Sequence, residues 1–109
     1  MKPKRKWIRR ASTQRARDLR IYSQRRKWFL AANPWCEWAL RQAPPQHIRS
    51  DQVHHYRGRI HRLLLMEEFW IAVSAAGHDW INRNPDAARK LGLLCPKGQW
   101  NSIPRKAAA

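Results

Sequence analysis

The chain has 109 residues, enough for one domain with tails, and 23 Lys and Arg against 7 Asp and Glu give it a formal net charge of +16. So large an excess of positive charge favours a polyanionic partner, most often nucleic acid. No apolar run approaches the roughly 18 residues of a membrane span, no apolar run follows the basic start as in a secretory signal, and two cysteines do not make a disulfide framework. We therefore expect no membrane association and a location in the reducing cytoplasm.

The N-terminal third is predicted to be a basic arm followed by a basic helix. Residues 1–12 are basic and interrupted by proline, so we expect a disordered arm. Thr13 can cap a helix that runs to about Ala32, where Asn33-Pro34 ends it. Apolar side chains at helical spacing give this helix one packing side, and cations lie around the rest. Its candidate nucleic-acid contacts are Arg25, Arg26 and Lys27.

A series of short elements is expected after this helix. The first is a knuckle at residues 34–43 with Trp35 and Trp38 available for burial, followed by a strand within 47–56 with Ile48 and Val53 as its apolar members. A basic turn at 57–59 and a strand at 69–73 come next. Two helices follow, one capped by Ser74 that runs to about Arg83 and one opened by Asn84-Pro85. Residues 60–66 stay unassigned, and residues 95–109 read as a tail. The ordered domain is therefore placed at residues 13–94.

Three histidines frame the stretch that carries the candidate chemistry. His54 and His55 are adjacent in Val-His-His-Tyr-Arg-Gly-Arg, and His78 lies early on a later helix, in Gly-His-Asp-Trp-Ile-Asn. Adjacent side chains on an ideal strand point to opposite faces, so one histidine can turn toward a metal while the other reaches past it. Asn82 lies one turn beyond His78 on the same helix face. A strand histidine and this helical pair would form a metal site with positions open for water and phosphate oxygens.

This pattern resembles the HNH endonucleases, in particular their small phage-type members. The resembling segments follow the family's order: Asn-Pro-Trp-Cys-Glu at 33–37, Val-His-His-Tyr-Arg-Gly-Arg at 53–59, Trp-Ile-Ala-Val at 70–73, Gly-His-Asp-Trp-Ile at 77–81 and Ala-Ala-Arg-Lys-Leu-Gly at 87–92. The resemblance implies a small α+β fold with a ββα-metal core and flanking helices. It also implies hydrolysis of DNA, a phage or prophage context, and phage packaging proteins as partners.

The resemblance implies a role for each residue of the histidine constellation. His55 would be the general base that activates water, His54 and His78 would bind one divalent metal ion, and Asn82 falls where a third ligand often sits. The residues support the same division, because a metal-bound histidine cannot accept a proton and one imidazole must stay off the ion. The ligand types leave Mg²⁺, Mn²⁺, Zn²⁺ and Ni²⁺ open, although imidazoles favour the transition metals.

The basic turn beside the histidines is a candidate for phosphate binding. Arg57 and Arg59 could hold flanking phosphates through bidentate hydrogen bonds. The expected substrate is double-stranded DNA. Little sequence preference is expected, because no base-reading helix is identifiable.

The chain departs from the family at the structural zinc and at a central asparagine. The family's zinc needs two Cys-x-x-Cys pairs, but here Cys36 is matched by Ala39, and Ser74 and Gly77 replace the second pair. We therefore expect no structural zinc, with packing of the knuckle in its place. The asparagine that braces the loop of the catalytic histidine would fall near residues 69–70, where this chain has Phe-Trp.

The rival hypothesis is a catalytically inactive basic module that binds nucleic acid on a decayed HNH core. The lost cysteines and asparagine favour it, whereas the retained His54, His55 and His78 oppose it. Both hypotheses predict salt-sensitive binding, so binding alone does not separate them. A membrane-surface or ribosome-associated protein is a third class that charge alone supports.

Overall fold

A computed structural model describes residues 3–59 and 61–100 of the chain, with side chains for residues 13–59 and 62–100. Its elements are α1 (Pro3–Ala32), α2 (Glu37–Leu40), β1 (Gln52–His55), two 3₁₀ segments (His61–Leu65 and Glu67–Phe69), β2 (Trp70–Val73), α3 (Ala75–Arg83) and α4 (Pro85–Lys90). The predicted α+β class is confirmed. None of the described helices is both long enough and apolar enough to cross a bilayer.

Helix α1 begins at Pro3 and not beside Thr13. The expectation of a disordered arm was therefore wrong for the backbone of residues 3–12, and residues 1–2 lie outside the described part of the chain. No glycine or further proline separates Pro3 from Thr13, Lys and Arg are good helix formers, and proline is favoured at the first helical position. Repulsion between like charges does not outweigh these local preferences.

Strands β1 and β2 pair antiparallel, with His55 directly opposite Trp70. Val53 is buried in β1 as predicted, but Ile48 lies before the strand and is exposed. Phe69, predicted to open the second strand, closes the second 3₁₀ segment. Because an isolated pair of strands is marginally stable in water, this sheet depends on the helices that cover its two faces.

Helix α1 covers one face of the sheet through aromatic contacts. Tyr22 and Phe29, two helical turns apart, meet the Trp70 ring edge-on at centroid distances of 5.2 and 5.4 Å. The Trp70 indole N–H donates to the Leu64 carbonyl at 3.0 Å, which ties the first 3₁₀ segment to the same face. Each aromatic pair contributes about 0.5–1.5 kcal/mol beyond its buried area.

The opposite face of the sheet carries a core formed with α2, α3 and α4. Its buried members are Cys36, Ala39, Val73, Ile81, Ala88 and Leu93. Ser74 caps α3 as predicted, since its hydroxyl accepts the Gly77 N–H at 3.1 Å. Asn84 precedes α4 as predicted, but its side chain donates to the Trp80 carbonyl at 2.9 Å and does not cap the new helix.

The knuckle around α2 is only half buried. Trp38 packs against the core, as expected. Trp35, which was expected to share that burial, is 39% exposed and meets the His47 ring edge-on at the surface.

The four positions that match the family's zinc cysteines lie together in the core. Cys36, Ala39, Ser74 and Gly77 are all buried. The Ser74 hydroxyl donates to Cys36 Sγ at 3.4 Å. A Cβ added at Gly77 would lie 3.0 Å from Cys36 Sγ and 3.1 Å from the Trp38 ring. Small side chains and one indole therefore fill this region closely.

Replacing Gly77 with Ala tests this packing, because helix propensity and packing predict opposite signs. Alanine is favoured over glycine inside a helix by about 1 kcal/mol. The added methyl group, however, must displace Cys36 or Trp38, and overpacking costs about 1–3 kcal/mol. We expect Gly77→Ala to lower the free energy of unfolding by about 1 kcal/mol in urea denaturation.

The control is Asp79→Ala on the exposed side of the same helix, which should stay within about 0.5 kcal/mol of wild type. A Gly77→Ala protein more stable than wild type would show that this region is not tightly packed.

Candidate functional site

His54 and His78 are neighbours on the face of the sheet that α3 covers. Their ring centroids are 5.3 Å apart, in an edge-on arrangement. His54 belongs to β1 and is 5% exposed, whereas His78 lies in the first turn of α3 and is half-buried. The fold thus brings together the strand histidine and the helix histidine that were predicted from the sequence to bind one ion.

Each of these two rings has one nitrogen held by a carbonyl oxygen. His54 Nε2 lies 2.8 Å from the Leu93 backbone carbonyl, and His78 Nδ1 lies 2.8 Å from the side-chain oxygen of Gln52. A carbonyl oxygen can only accept, so these nitrogens carry the hydrogens. The neutral rings are left with lone pairs on Nδ1 of His54 and Nε2 of His78. Metal-binding histidines are commonly oriented in this way.

Both rings are held neutral by their surroundings. Burial lowers the pKa of His54 to about 4, assisted by the nearby His78 and opposed by the hydrogen bond to Leu93. Burial, and then the positive charge of Arg59, lower the pKa of His78 as well. The neutral imidazole is the form that binds a metal ion, so neither ring must lose a proton near pH 7 to act as a ligand.

His55 lies on the opposite face of the sheet, beneath α1. Its ring is 5.4 Å from that of Tyr22 and 6.0 Å from that of Trp70, and the residue is 7% exposed. Among the described residues, its buried Nε2 has no hydrogen-bond partner. Leaving a buried polar atom unpaired costs about 1–3 kcal/mol, and Trp38 Nε1, next to the core, is unpaired in the same way.

The pKa of His55 is lowered further than that of His54. Burial is the largest cause, followed by the positive charge of Arg59, and the pKa falls to about 3. Arg15 contributes in the same direction, and its guanidinium donates to the Arg59 carbonyl at 3.3 Å. His55 is therefore neutral and able to accept a proton at pH 7, but it is a weak base in the free protein.

All three histidines border one open cleft of about 810 Å³, which Asn82 and Arg59 also line. Among the side chains described, those of residues 13–59 and 62–100, no three of His, Cys, Asp or Glu converge as metal ligands would. The donors that the cleft offers are therefore the His54–His78 pair and the amide oxygen of Asn82. His55 borders the same space without joining the pair.

The two arginines of the basic turn have different surroundings. Arg59 is exposed, lines the cleft and lies over the Tyr22 ring at 5.3 Å. Arg57 donates to the Gln99 side chain at 3.3 Å and lies over the Phe69 ring at 5.2 Å. Only Arg59 is placed to meet a phosphate beside the histidines, whereas Arg57 holds the segment that comes after α4.

The cations proposed near the end of α1 are also divided. Arg26 donates to the Asp51 carbonyl at 2.7 Å, and Arg25 donates to the Leu65 carbonyl at 3.4 Å. Lys27 is exposed. Arg25 and Arg26 thus each use at least one hydrogen-bond donor to hold α1 against the rest of the fold.

Sequence reasoning missed the residues that surround the three imidazoles. Strand alternation could have found Gln52, which lies two positions before His54 and so on the same side of β1. No local signal identifies the Leu93 carbonyl, or Tyr22 and Trp70 as the walls around His55, because these contacts join distant parts of the chain.

The interpretation of the sequence gave the two remaining histidines, His47 and His61, no role as metal ligands. His47 lies against Trp35 at the surface. The side chain of His61 lies outside the described residues.

No protein-family model, curated protein or solved structure matches this chain. The resemblance to the HNH endonucleases therefore rests on the sequence motifs.

The histidine pKa values predict that the metal-free protein loses stability below pH 6.5. In the unfolded chain these rings bind protons near 6.5, whereas folded His54 and His55 stay neutral down to about 4 and about 3. In that window the unfolded state binds more protons, so the free energy of unfolding falls as pH falls. His55 alone should account for about 2 kcal/mol between about pH 7.5 and about pH 5.

Urea denaturation in EDTA at these two pH values measures the effect. His55→Leu removes the titrating ring and should shrink the difference by about 2 kcal/mol. Val53→Ala, in the same strand, changes packing without removing a titrating group and should keep the wild-type difference. An unchanged pH dependence in His55→Leu would show that His55 is not buried as a neutral ring.

Proposed function

We propose that this chain is a metal-dependent endonuclease of the HNH type, which hydrolyses phosphodiester bonds of DNA. The observation that carries the proposal is one cleft bordered by a histidine pair, His54 and His78, and by a third imidazole, His55, with an unpartnered nitrogen. A nuclease of this kind needs both parts, ligands for an ion and a base that the ion does not occupy.

His54 and His78 would hold the ion, and Asn82 would be the third ligand. The fit rests on chemistry, because each imidazole has one nitrogen fixed to a carbonyl oxygen and a lone pair on the other. Imidazole ligands favour Mn²⁺, Ni²⁺ or Zn²⁺ over Mg²⁺. When bound, the ion would stabilise negative charge on the phosphate and on the departing 3′ oxygen.

His55 would accept the proton of the attacking water. The water oxygen would then bond to phosphorus as the bond to the 3′ oxygen breaks. The departing 3′ oxygen would take a proton from solvent, and the imidazolium would return its proton to solvent. The positive charge of Arg59 helps to keep the His55 pKa at about 3. A DNA phosphate paired with Arg59 would offset that charge, which is the second cause after burial, and would raise the His55 pKa by that part of the shift. Substrate binding would thereby make the base stronger.

Trp70 would position His55 where the family has an asparagine. The two residues lie opposite each other in the sheet, and their rings are 6.0 Å apart. The Trp70 indole is itself fixed by its hydrogen bond to the Leu64 carbonyl. Packing against a held indole can limit the motion of the imidazole without a direct hydrogen bond.

The outer side of α1 would meet the DNA backbone. Arg17, Arg20 and Lys27 are exposed and lie on the side of the helix opposite Tyr22 and Phe29, which face the sheet. A row of cations of this kind fits the regularly spaced phosphates of a duplex. The net charge of +16 favours the same partner.

The buried region that holds Cys36 supports the HNH comparison. The two pairs of positions that match the family's zinc cysteines, 36 and 39, and 74 and 77, are far apart in this sequence, yet Cys36, Ser74 and Gly77 are neighbours in the fold. This proximity is what an architecture with packing in place of zinc would require.

The inactive nucleic-acid-binding module remains a second candidate because His55 is buried. A residue that is 7% exposed with a pKa of about 3 suits a structural histidine as well as a resting base. The basic surface of α1 would serve this function equally.

Nicking of supercoiled plasmid separates the two candidates. Wild-type protein should nick in Mn²⁺ or Ni²⁺, and EDTA should stop the reaction. His55→Ala should lower the nicking rate about 10²–10⁴-fold, with DNA binding nearly intact, because the imidazole acts in the chemical step.

His47→Ala is the control, since it removes an exposed histidine that does not line the cleft. If wild type and His55→Ala nick at the same rate, the proposed base is wrong. If wild type binds DNA but does not nick it with Mg²⁺, Mn²⁺, Zn²⁺ or Ni²⁺, the inactive nucleic-acid-binding module is favoured.

A further inference from the structure

The cleft beside the histidines is larger and more apolar than a phosphate and an ion require. Its volume of about 810 Å³ lies in the range of roughly 300–1,000 Å³ that is typical of sites for organic ligands. Beyond the histidines, Ile81, Pro85, Leu94 and Trp100 form much of its wall. A phosphodiester gains little from such a surface, whereas a nucleobase has flat faces that it can cover.

Trp100 is the aromatic side chain of this wall. It is 62% exposed, although an indole gains free energy when it is covered. Aromatic side chains that stand in reach of nucleic acid commonly stack on unpaired bases, and each such stack is worth about 1–3 kcal/mol. The exposed indole is therefore a candidate platform for a base.

The segment that carries Trp100 is tied to the strand that carries the histidines. The buried Cys95 donates its N–H to the Tyr56 carbonyl at 3.1 Å, directly after β1. Arg57 donates to the Gln99 side chain at 3.3 Å, next to Trp100 in the chain. These bonds hold the chain that leads to Trp100 beside the strand of His54 and His55.

The cleft also carries charge that complements a nucleotide. Arg59 and Lys97 are exposed and line it together with Trp100. Arg89 lines it too, but its guanidinium donates to the Cys95 carbonyl at 3.1 Å and to Asp86 at 3.0 Å. Two available cations beside an exposed indole form the combination of phosphate and base contacts found in sites for single-stranded nucleic acid.

We propose that the cleft takes one unstacked base of the DNA against Trp100, so that the protein binds single-stranded DNA segments in preference to continuous duplex. In a duplex each base is already stacked, and turning one out costs a few kcal/mol. This inference rests on the proposed function for the cleavage of the bound strand, but the binding itself needs neither metal nor cleavage.

Fluorescence anisotropy in EDTA tests the inference without any cleavage. The probes are a labelled single-stranded oligonucleotide and its duplex. We expect Trp100→Ala to weaken single-strand binding about 5- to 100-fold and duplex binding less than about 2-fold. Trp100→Phe, which keeps an aromatic ring, should retain most of the wild-type affinity for the single strand. Because Trp100 is 62% exposed, circular dichroism should show the fold unchanged.

Trp35→Ala is the control, because Trp35 is 39% exposed but lies in the knuckle against His47, away from the cleft and outside α1. It should leave the preference for single strands as in wild type. If Trp100→Ala weakens both probes equally, or neither, the inference is wrong whatever the plasmid assay shows. If single strands bind through Trp100 but no plasmid is nicked, the base platform stands and the nuclease proposal fails.

Discussion

The alternation of side chains along β1 is the constraint on which the site depends. His54 faces α3 and meets His78, whereas His55 faces α1 and lies between Tyr22 and Trp70. A single strand of four residues thus holds one imidazole beside a second histidine and keeps its neighbour away from that pair. The two proposed roles would need different environments, and the two faces of the sheet differ in this way.

Burial decides the protonation of all three rings and is the first cause of each lowered pKa. For His54 and His78 this is favourable, because a neutral ring binds an ion without first losing a proton. For His55 it is a compromise, since the ring is neutral and has an unpaired nitrogen, but that nitrogen is buried and the ring is weakly basic. Under the proposed function, a phosphate bound at Arg59 would remove part of the charge that holds the His55 pKa down, whereas the larger effect of burial would remain.

Local signals were enough to predict much of the fold. The cap at Ser74 and the start of α4 after Asn84 depend on side chains within one turn of each element. The start of α1 at Pro3 was missed because composition suggested disorder where helix propensity prevails. The partners of the site were beyond prediction, because the Leu93 carbonyl and the contact of Arg26 with Asp51, just before β1, join segments that only the tertiary fold brings together.

The most direct test of the central claim is a Zn²⁺ titration of metal-free protein labelled with ¹⁵N at histidine, monitored through the ring nitrogens by nuclear magnetic resonance. The account predicts that Nδ1 of His54 and Nε2 of His78 respond together as one ion binds, while both nitrogens of His55 keep the signature of an uncoordinated ring. Coordination by His55, or responses of His54 and His78 at different amounts of metal, would contradict it.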